Sequence, residues 1–160
     1  MAANTKAQAA EAGHELVITR VFDAPRSLVF AAWTEGEHVR QWLAPHGFTS
    51  THSEAEVRPG GSWRSCMVSP DGEELWLGGV YREVVPDRRL VFSHAWDDEH
   101  GKPGRETVVT VELEDLDGKT RLTLRQAFFE TAASRDGHQG GWTQCLERLE
   151  TLLHQLGTRA

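Results

Sequence analysis

The most regular hydrophobic pattern in the chain, from His138 to Leu156, places apolar side chains at steps of three and four residues, the spacing of one helix face. The apolar positions are Trp142, Cys145, Leu146, Leu149, Leu152, Leu153 and Leu156. The opposite face carries side chains that belong in water, Gln144, Glu147, Arg148, Thr151 and Gln155. Ser134 or Asp136 is expected to cap the start of this helix, and Gly157 to end it. A stripe this long needs a broad apolar partner, which the preceding strands can supply.

The N-terminal third predicts one strand followed by two short helices. Glu15–Asp23 alternates imperfectly, and Asp23-Ala24-Pro25 breaks it. Pro25 suits the first turn of a helix, because its missing N–H costs nothing there. Apolar residues then recur at helical spacing, at Leu28, Val29, Ala32 and Trp33. A second helix is predicted over Glu37–Leu43, and the Ala-Pro-His-Gly stretch after it ends the helical insert.

From Phe48 onward the hydrophobic period becomes two, which is the period of β-strands. Turn-forming residues separate six predicted strands, Phe48–Arg58, Ser62–Ser69, Glu74–Val85, Arg89–Trp96, Glu106–Glu114 and Thr120–Phe128. The pair Gly78-Gly79 interrupts the third of them and predicts a bulge or bend. A sheet this long curls. We therefore predict an α+β fold, a curved antiparallel sheet of six or seven strands around the long C-terminal helix.

Composition narrows the class of protein. The 160 residues are 39% hydrophobic and 26% charged, which are globular values, and they suffice for one domain. Residues 1–13, MAANTKAQAAEAG, are predicted to be a disordered tail before a domain over residues 14–157. A net charge of −7 without a basic cluster argues against nucleic acid as a partner. No apolar run is long enough to predict a membrane-spanning segment. The two cysteines fit a reduced, cytoplasmic protein better than a disulfide-bonded one.

Tryptophan is the candidate residue for ligand contacts. The chain has six of them and only one tyrosine. A tryptophan in a pocket stacks on a flat ligand and offers an N–H to its polar end, although any single one can equally be an ordinary core residue. We expect Trp63, Trp96 and Trp142 to form pocket walls, and Trp76 is the weakest candidate.

His94 is the candidate for chemistry, because it shares a strand face with Phe92 and Trp96. A neutral imidazole there could bind a ligand carbonyl or act as acid or base, and the alternative is a core histidine bonded to its neighbours. His46, after Pro45, could lie at a pocket mouth or simply be solvated.

Two strand arginines, Arg64 and Arg82, could bind a ligand carboxylate as a bidentate pair. The alternative is pairing on the outer face with the carboxylates of Glu83, Glu54 or Glu56. Strand alternation places Arg64 on the face opposite Trp63, so the two side chains cannot both point inward.

The sequence contains no motif for a metal or cofactor site. Cys66, Cys145 and His94 are the plausible interior ligands, and their spacing matches no zinc site. The acidic run Asp97–His100 is typical of a solvated loop tip. The glycine pairs form neither a phosphate loop nor a dinucleotide fingerprint, and no nucleophile elbow occurs. We therefore expect neither a metal nor a cofactor.

Five stretches of the chain carry a family resemblance. They are FDAPRSLVFAAWTEGEHVRQWLAP (Phe22–Pro45), EVRPGGSWR (Glu56–Arg64), SPDG (Ser69–Gly72), GVYREVVPDRRLVFS (Gly79–Ser93) and GWTQCLERLETLL (Gly141–Leu153). In this order they resemble the START-like helix-grip fold (the SRPBCC superfamily), within it the bacterial branch related to the C-terminal domain of the activator of Hsp90 ATPase. The resemblance implies a sheet gripping the last helix. It leaves the function open, because the superfamily includes lipid carriers, hormone receptors and polyketide cyclases.

The leading hypothesis is a binding module that holds a small hydrophobic or aromatic ligand between the sheet and the C-terminal helix. Its predicted ligand-binding residues are Trp63, Met67, Phe92, His94, Trp96 and Trp142. The alternatives are an enzyme of the cyclase or hydrolase type with His94 as acid/base, and a co-chaperone-like protein that contacts an Hsp90-type ATPase. A homodimer is compatible with each of these hypotheses.

Overall fold

The described part of the chain, residues 14–158 of a computed structural model, follows the predicted order of elements. The predicted tail, residues 1–13, lies outside the described residues. The elements are β1 (His14–Phe22), α1 (Arg26–Thr34), α2 (Gly36–Trp42), β2 (Thr49–Ala55), β3 (Ser62–Val68), β4 (Glu74–Val85), β5 (Arg89–Trp96), β6 (Thr107–Leu116), β7 (Lys119–Phe129) and α3 (Ala132–Thr158).

The seven strands form one sheet in the order β1-β7-β6-β5-β4-β3-β2, with every neighbouring pair antiparallel. The first strand therefore pairs with the last, and β1 and β2 are the two edges. Tight turns allow this order: Asp117 and Gly118 both have positive φ, as a two-residue hairpin between β6 and β7 requires. The predicted α+β helix-grip fold, with a curved sheet around the last helix, is confirmed.

Helix α3 buries the predicted apolar stripe against this sheet. From Trp142 to Leu153 the stripe residues are buried, and Leu156 is half-buried. The predicted start was wrong, because the helix begins at Ala132, six residues before His138. Thr131, rather than Ser134 or Asp136, caps it: the Thr131 hydroxyl accepts a hydrogen bond of 3.0 Å from the Ser134 N–H. Gly157 does not end the helix, which continues to Thr158.

The short helices α1 and α2 close one end of the sheet. Trp42 at the end of α2 is buried, and its indole N–H donates to the Ala32 carbonyl of α1 at 2.9 Å. That bond fixes the angle between the two helices, and it holds the tryptophan ring still.

The glycine pair in β4 does not form the predicted bulge. The register shift lies further on, between Tyr81 and Glu83. Gly79 instead permits a close backbone approach, since a Cβ atom there would lie 1.9 Å from the Ser93 carbonyl oxygen.

Candidate functional site

A cavity of about 430 Å³ lies among α1, α2, α3 and strands β2 to β5. Eight aromatic side chains line it: Trp33, Trp42, Phe48, Trp63, Tyr81, Phe92, Trp96 and Trp142. Its volume is that of a small-molecule site. The structure places all six predicted ligand-binding residues in its wall, and their role in binding stays a prediction.

Two glycines of α3 leave open space on the helix side of the cavity. Gly137 and Gly141 line the cavity, and a Cβ atom built on either would meet no atom within 4 Å. The wall also includes Glu54 and Ala55 of edge strand β2, which are exposed, so the cavity reaches the surface beside them.

Three tryptophans of the wall, Trp33, Trp42 and Trp142, form one connected aromatic group at the helical end. Trp33 stacks on Trp142 with ring centroids 5.7 Å apart, and its other neighbour, Trp42, meets it edge-on at 4.6 Å. Trp76 lies outside the wall and packs under the Arg64 guanidinium at 5.1 Å. Such contacts restrict the orientation of the rings.

A buried polar chain runs behind the wall from α3 to β5. The Trp142 indole N–H donates to the Gln126 side-chain oxygen at 2.8 Å. The Gln126 amide donates to the Thr107 hydroxyl at 2.8 Å, and that hydroxyl donates to the His94 carbonyl at 3.0 Å. All four residues are buried. Because a partly satisfied buried network is costly, this chain fixes the position of Trp142 relative to β5.

The His94 ring lies in the wall between aromatic rings. Its centroid is 5.7 Å from those of Trp63 and Trp96 and 6.0 Å from that of His138. Among residues 14–158, the hydrogen-bond partner of the ring is the backbone of His94 itself. Burial, with a smaller contribution from the nearby His138, lowers the pKa of His94 to about 3. The imidazole is therefore neutral near pH 7, with one donor and one acceptor nitrogen.

Sequence reasoning missed His138, which lies beside His94 in the wall. Its Nδ1 is 2.7 Å from the Ser134 carbonyl, and its Nε2 accepts the Trp96 indole N–H at 2.9 Å. Because an indole N–H only donates, the proton of neutral His138 must lie on Nδ1. Helical spacing could have identified it, because His138 precedes Trp142 by four residues and therefore lies on the same face of the helix as the apolar stripe.

The predicted carboxylate-binding arginines point away from the cavity. Arg64 forms a bidentate ion pair with Asp97, one bond of which measures 2.8 Å, and Arg82 pairs with Glu106 at 3.0 Å. Both arginines therefore pair with carboxylates on the outer face, as the alternative predicted, but the partners expected from the sequence were wrong. The hydrogen bond from Arg64 lowers the pKa of Asp97. His46, for which the sequence allowed a pocket mouth or simple solvation, is not part of the wall; its exposed ring contacts Glu147 at 2.9 Å.

The predicted water face of α3 holds a cavity loop in place. Arg148 donates to the carbonyls of Ala44 and Phe48, at 2.8 and 3.1 Å, and the Gln144 side chain accepts from the His46 backbone N–H. Leu43, Pro45 and Phe48 of this loop line the cavity. The helix thus positions two walls, its own face and the loop that residues 43–48 form.

The two cysteines are free and buried, Cys66 in β3 and Cys145 in α3. Cys145 is in the cavity wall, and burial raises the pKa of its thiol to about 12, so it is not a reactive thiolate. Burial likewise raises the pKa of the Tyr81 hydroxyl to about 12.

Among residues 14–158, no group of three or more histidine, cysteine, aspartate or glutamate side chains could hold a metal ion. No helix in the same range is long and apolar enough to cross a membrane.

Comparison with known proteins identifies the family. The model of the family described as "Activator of Hsp90 ATPase homolog 1-like protein" matches residues 23–154. A solved AHSA1 protein of Silicibacter pomeroyi is 25% identical with a TM-score of 0.80, and the match covers 92% of this chain and 100% of that one. A solved protein of Chromobacterium violaceum is 26% identical with a TM-score of 0.78, covering 88% and 97%. A solution structure from Arthrobacter aurescens is 26% identical with a TM-score of 0.80, covering 88% and 86%.

No curated protein matches the chain. The family match spans most of the sequence, and the solved relatives share the helix-grip architecture over nearly their whole lengths. The chain therefore belongs to the AHSA1-like family of the START-like (SRPBCC) superfamily.

Proposed function

We propose that this protein binds a small apolar or aromatic ligand in the cavity between the sheet and α3. The observation that carries the proposal is the cavity of about 430 Å³, whose wall is built mainly from aromatic side chains. Interiors are normally packed without such spaces, so a cavity of this size supports a role in ligand binding.

The wall is suited to binding because its rings are already fixed. Trp63 donates to the Ser93 carbonyl at 3.0 Å, and Trp142 is held by Gln126. A ligand therefore need not order these side chains, which removes one of the costs of association. Apolar ligand surface removed from water contributes about 25 cal/mol per Å² in this kind of site.

The test uses 2-isopropylnaphthalene as a flat apolar probe, measured by calorimetry and by the shift in melting temperature. We expect saturable binding and a rise in melting temperature with probe concentration, because the probe binds only the folded state. Gly141→Leu should fill the cavity and abolish both effects. Gly140→Leu is the matched control, since Gly140 has equal space around it but does not line the cavity.

Unchanged binding in Gly141→Leu, or no binding of flat apolar probes to the wild type, would contradict the proposal. His94→Ala then separates a carrier from an enzyme. A carrier should lose only modest affinity, whereas an acid/base enzyme should bind normally and lose turnover by about two to four powers of ten.

The family description favours a second candidate function, contact with an Hsp90-type ATPase. The test measures the ATPase rate of a purified Hsp90-type ATPase with and without this protein. A stimulated rate that survives Gly141→Leu would support a role of the outer surface. No change in the ATPase rate and no complex would exclude it.

A further inference from the structure

One ring of the cavity wall has a nitrogen that the fold leaves without a partner. The His94 side chain is 4% exposed and lines the cavity. Its hydrogen bond to its own backbone raises the pKa of the ring, so the backbone atom is an acceptor, the His94 carbonyl oxygen. A histidine reaches its own carbonyl through Nδ1, which adjoins the side-chain stem, because Nε2 lies on the far edge of the ring. Nε2 is therefore the nitrogen without a partner among the described residues.

The bond to the carbonyl also decides which nitrogen of His94 carries the proton. A carbonyl oxygen only accepts, so Nδ1 must donate. A neutral imidazole carries a single N–H, which leaves Nε2 with a lone pair. An atom that satisfies Nε2 must therefore be a hydrogen-bond donor.

This lone pair is open to the cavity. Among the described residues, the buried side-chain atoms that lack both a hydrogen bond and contact with open space are Trp33 Nε1, His38 Nδ1 and Ser50 Oγ. His94 Nε2 is not one of them, although no other residue bonds to it, so it contacts open space. Because the ring is buried and lines the cavity, that space is the cavity. A ligand atom can therefore reach Nε2.

Most other polar groups of the wall are already bonded within the protein. The donors that bond to protein atoms are those of Thr34, Trp42, Trp63, Ser65, Trp96 and Trp142. His138 does not compete for a ligand, because both of its nitrogens contact Ser134 and Trp96. The Tyr81 hydroxyl, whose pKa shift has burial as its cause and no hydrogen bond, can donate or accept and favours neither class of ligand. The preference of the wall is therefore set by His94.

We propose that the cavity selects an uncharged, flat apolar ligand that carries a hydrogen-bond donor, as a phenol does, and that this donor binds His94 Nε2. The proposal rests on the ligand-binding function proposed above and adds the chemical class of the ligand. An ether or ketone of the same shape has only acceptor oxygens, which would face a lone pair at Nε2. A phenol is un-ionised near pH 7, as the tyrosine side chain is, so it enters the cavity without the cost of burying a charge.

Three naphthalene probes test the proposal by calorimetry near pH 7. They are 2-naphthol, which carries a donor, 2-methoxynaphthalene, which carries only an acceptor, and 2-methylnaphthalene, which carries neither. The variant His94→Phe keeps an aromatic ring at the position and removes Nε2. It should weaken 2-naphthol about tenfold, because the buried hydroxyl loses its acceptor, and leave the other two probes within about twofold.

Phe92→Leu is the matched control, since Phe92 lines the cavity from the same strand and has no polar side-chain atom. It should change the affinities of the three probes by similar factors. Equal weakening of all probes by His94→Phe, or weakening of the ether alone, would overturn the selection of a donor. Binding of 2-methylnaphthalene to the wild type would in that case still support the proposed function. If none of the three probes binds the wild type, both the proposed function and this inference are overturned.

Nitrogen-15 spectra of the histidine rings test the same bond in the wild type, so they decide the question even if His94→Phe fails to fold. We expect His94 to carry its proton on Nδ1 in the free protein. Addition of 2-naphthol should move the Nε2 signal of His94, and the ether and hydrocarbon should move it much less. A proton on Nε2 in the free protein, or equal displacement by the three probes, would overturn the proposal.

Discussion

The C-terminal half of α3 carries leucines where its N-terminal half carries glycines. Leu146, Leu149, Leu152 and Leu153 are each at most 4% exposed. Gly137, Gly140 and Gly141 each leave open space where a side chain would be. One continuous helix thus fills the core at one end and leaves a cavity at the other.

The strands repeat this division. Phe22 of β1 and Leu122 and Leu124 of β7 are 0–1% exposed and belong to the core that the leucines of α3 complete. At the other end, β3 and β5 supply Trp63 and Phe92, which line the cavity instead of filling it. The comparison predicts that stability and the proposed ligand binding depend on different ends of the same sheet and helix, so that substitutions should separate them.

The largest expected effect is at the filled end. Leu149→Ala should lower the free energy of unfolding by about 2–5 kcal/mol, because it removes a fully buried side chain and leaves a hole in a close-packed region. Chemical denaturation measures this loss. Probe binding at the other end should persist in the folded fraction.

Glu147→Ala is the control for this substitution on the same helix. Glu147 is exposed and its carboxylate pairs with the exposed ring of His46, so its loss should cost under about 0.5 kcal/mol. Equal costs for Glu147→Ala and Leu149→Ala would contradict the assignment of the buried face.

The next largest effect is expected at the cavity end, where the contribution of His94 to stability depends on pH. The pKa of His94 is about 3 in the folded protein and near 6.5 in the unfolded chain, so between these values only the unfolded state takes up the proton. Stability should therefore be complete above pH 6.5 and fall as the pH drops toward 3, by up to about 1.4 kcal/mol per pH unit.

Denaturation of the wild type and of His94→Phe at several pH values measures this contribution. The variant has no imidazole at position 94, so its stability should fall less steeply between pH 6.5 and 4. Parallel curves for the two proteins would show that His94 titrates normally and is accessible to water.

Periodicity was sufficient to predict the fold and much of the cavity wall. The stripe from Trp142 to Leu153 and the alternation of Trp63 with Arg64 are local patterns that sequence displays directly. The partner of Arg64 could not be predicted in this way. Asp97 lies 33 positions away, and the pair forms only because the end of β5 lies beside β3 across β4.

A backbone irregularity places Phe129 beside His138. Phe128 has a φ of 76°, a left-handed conformation that is uncommon for a bulky residue, and β1 and β7 shift register beside it. Phe129 is therefore buried, with its ring centroid 4.8 Å from that of His138. Nothing in the alternation of Thr120–Phe128 signals this change, so the contact of Phe129 with His138 could not be predicted, whereas the helical spacing from His138 to Trp142 is visible in the sequence.

The smallest expected effect tests why α3 carries glycines at the cavity. Glycine in a helix interior costs about 0.5–1 kcal/mol relative to alanine, and a methyl group at Gly141 would meet no atom within 4 Å. Gly141→Ala should therefore raise the free energy of unfolding by that amount. If the glycine is kept for the space in front of it, the same variant should bind 2-isopropylnaphthalene more weakly.

Gly140→Ala supplies the comparison, since it should gain the same helix stability without loss of binding because Gly140 does not line the cavity. Gly79→Ala should do the opposite and destabilise the sheet, because its Cβ would lie 1.9 Å from the Ser93 carbonyl oxygen. Denaturation and calorimetry on the three variants distinguish a glycine kept for space from one kept for backbone approach. A destabilised Gly141→Ala would mean that α3 is packed more closely at this end, and the division between a filled and an open half would then fail.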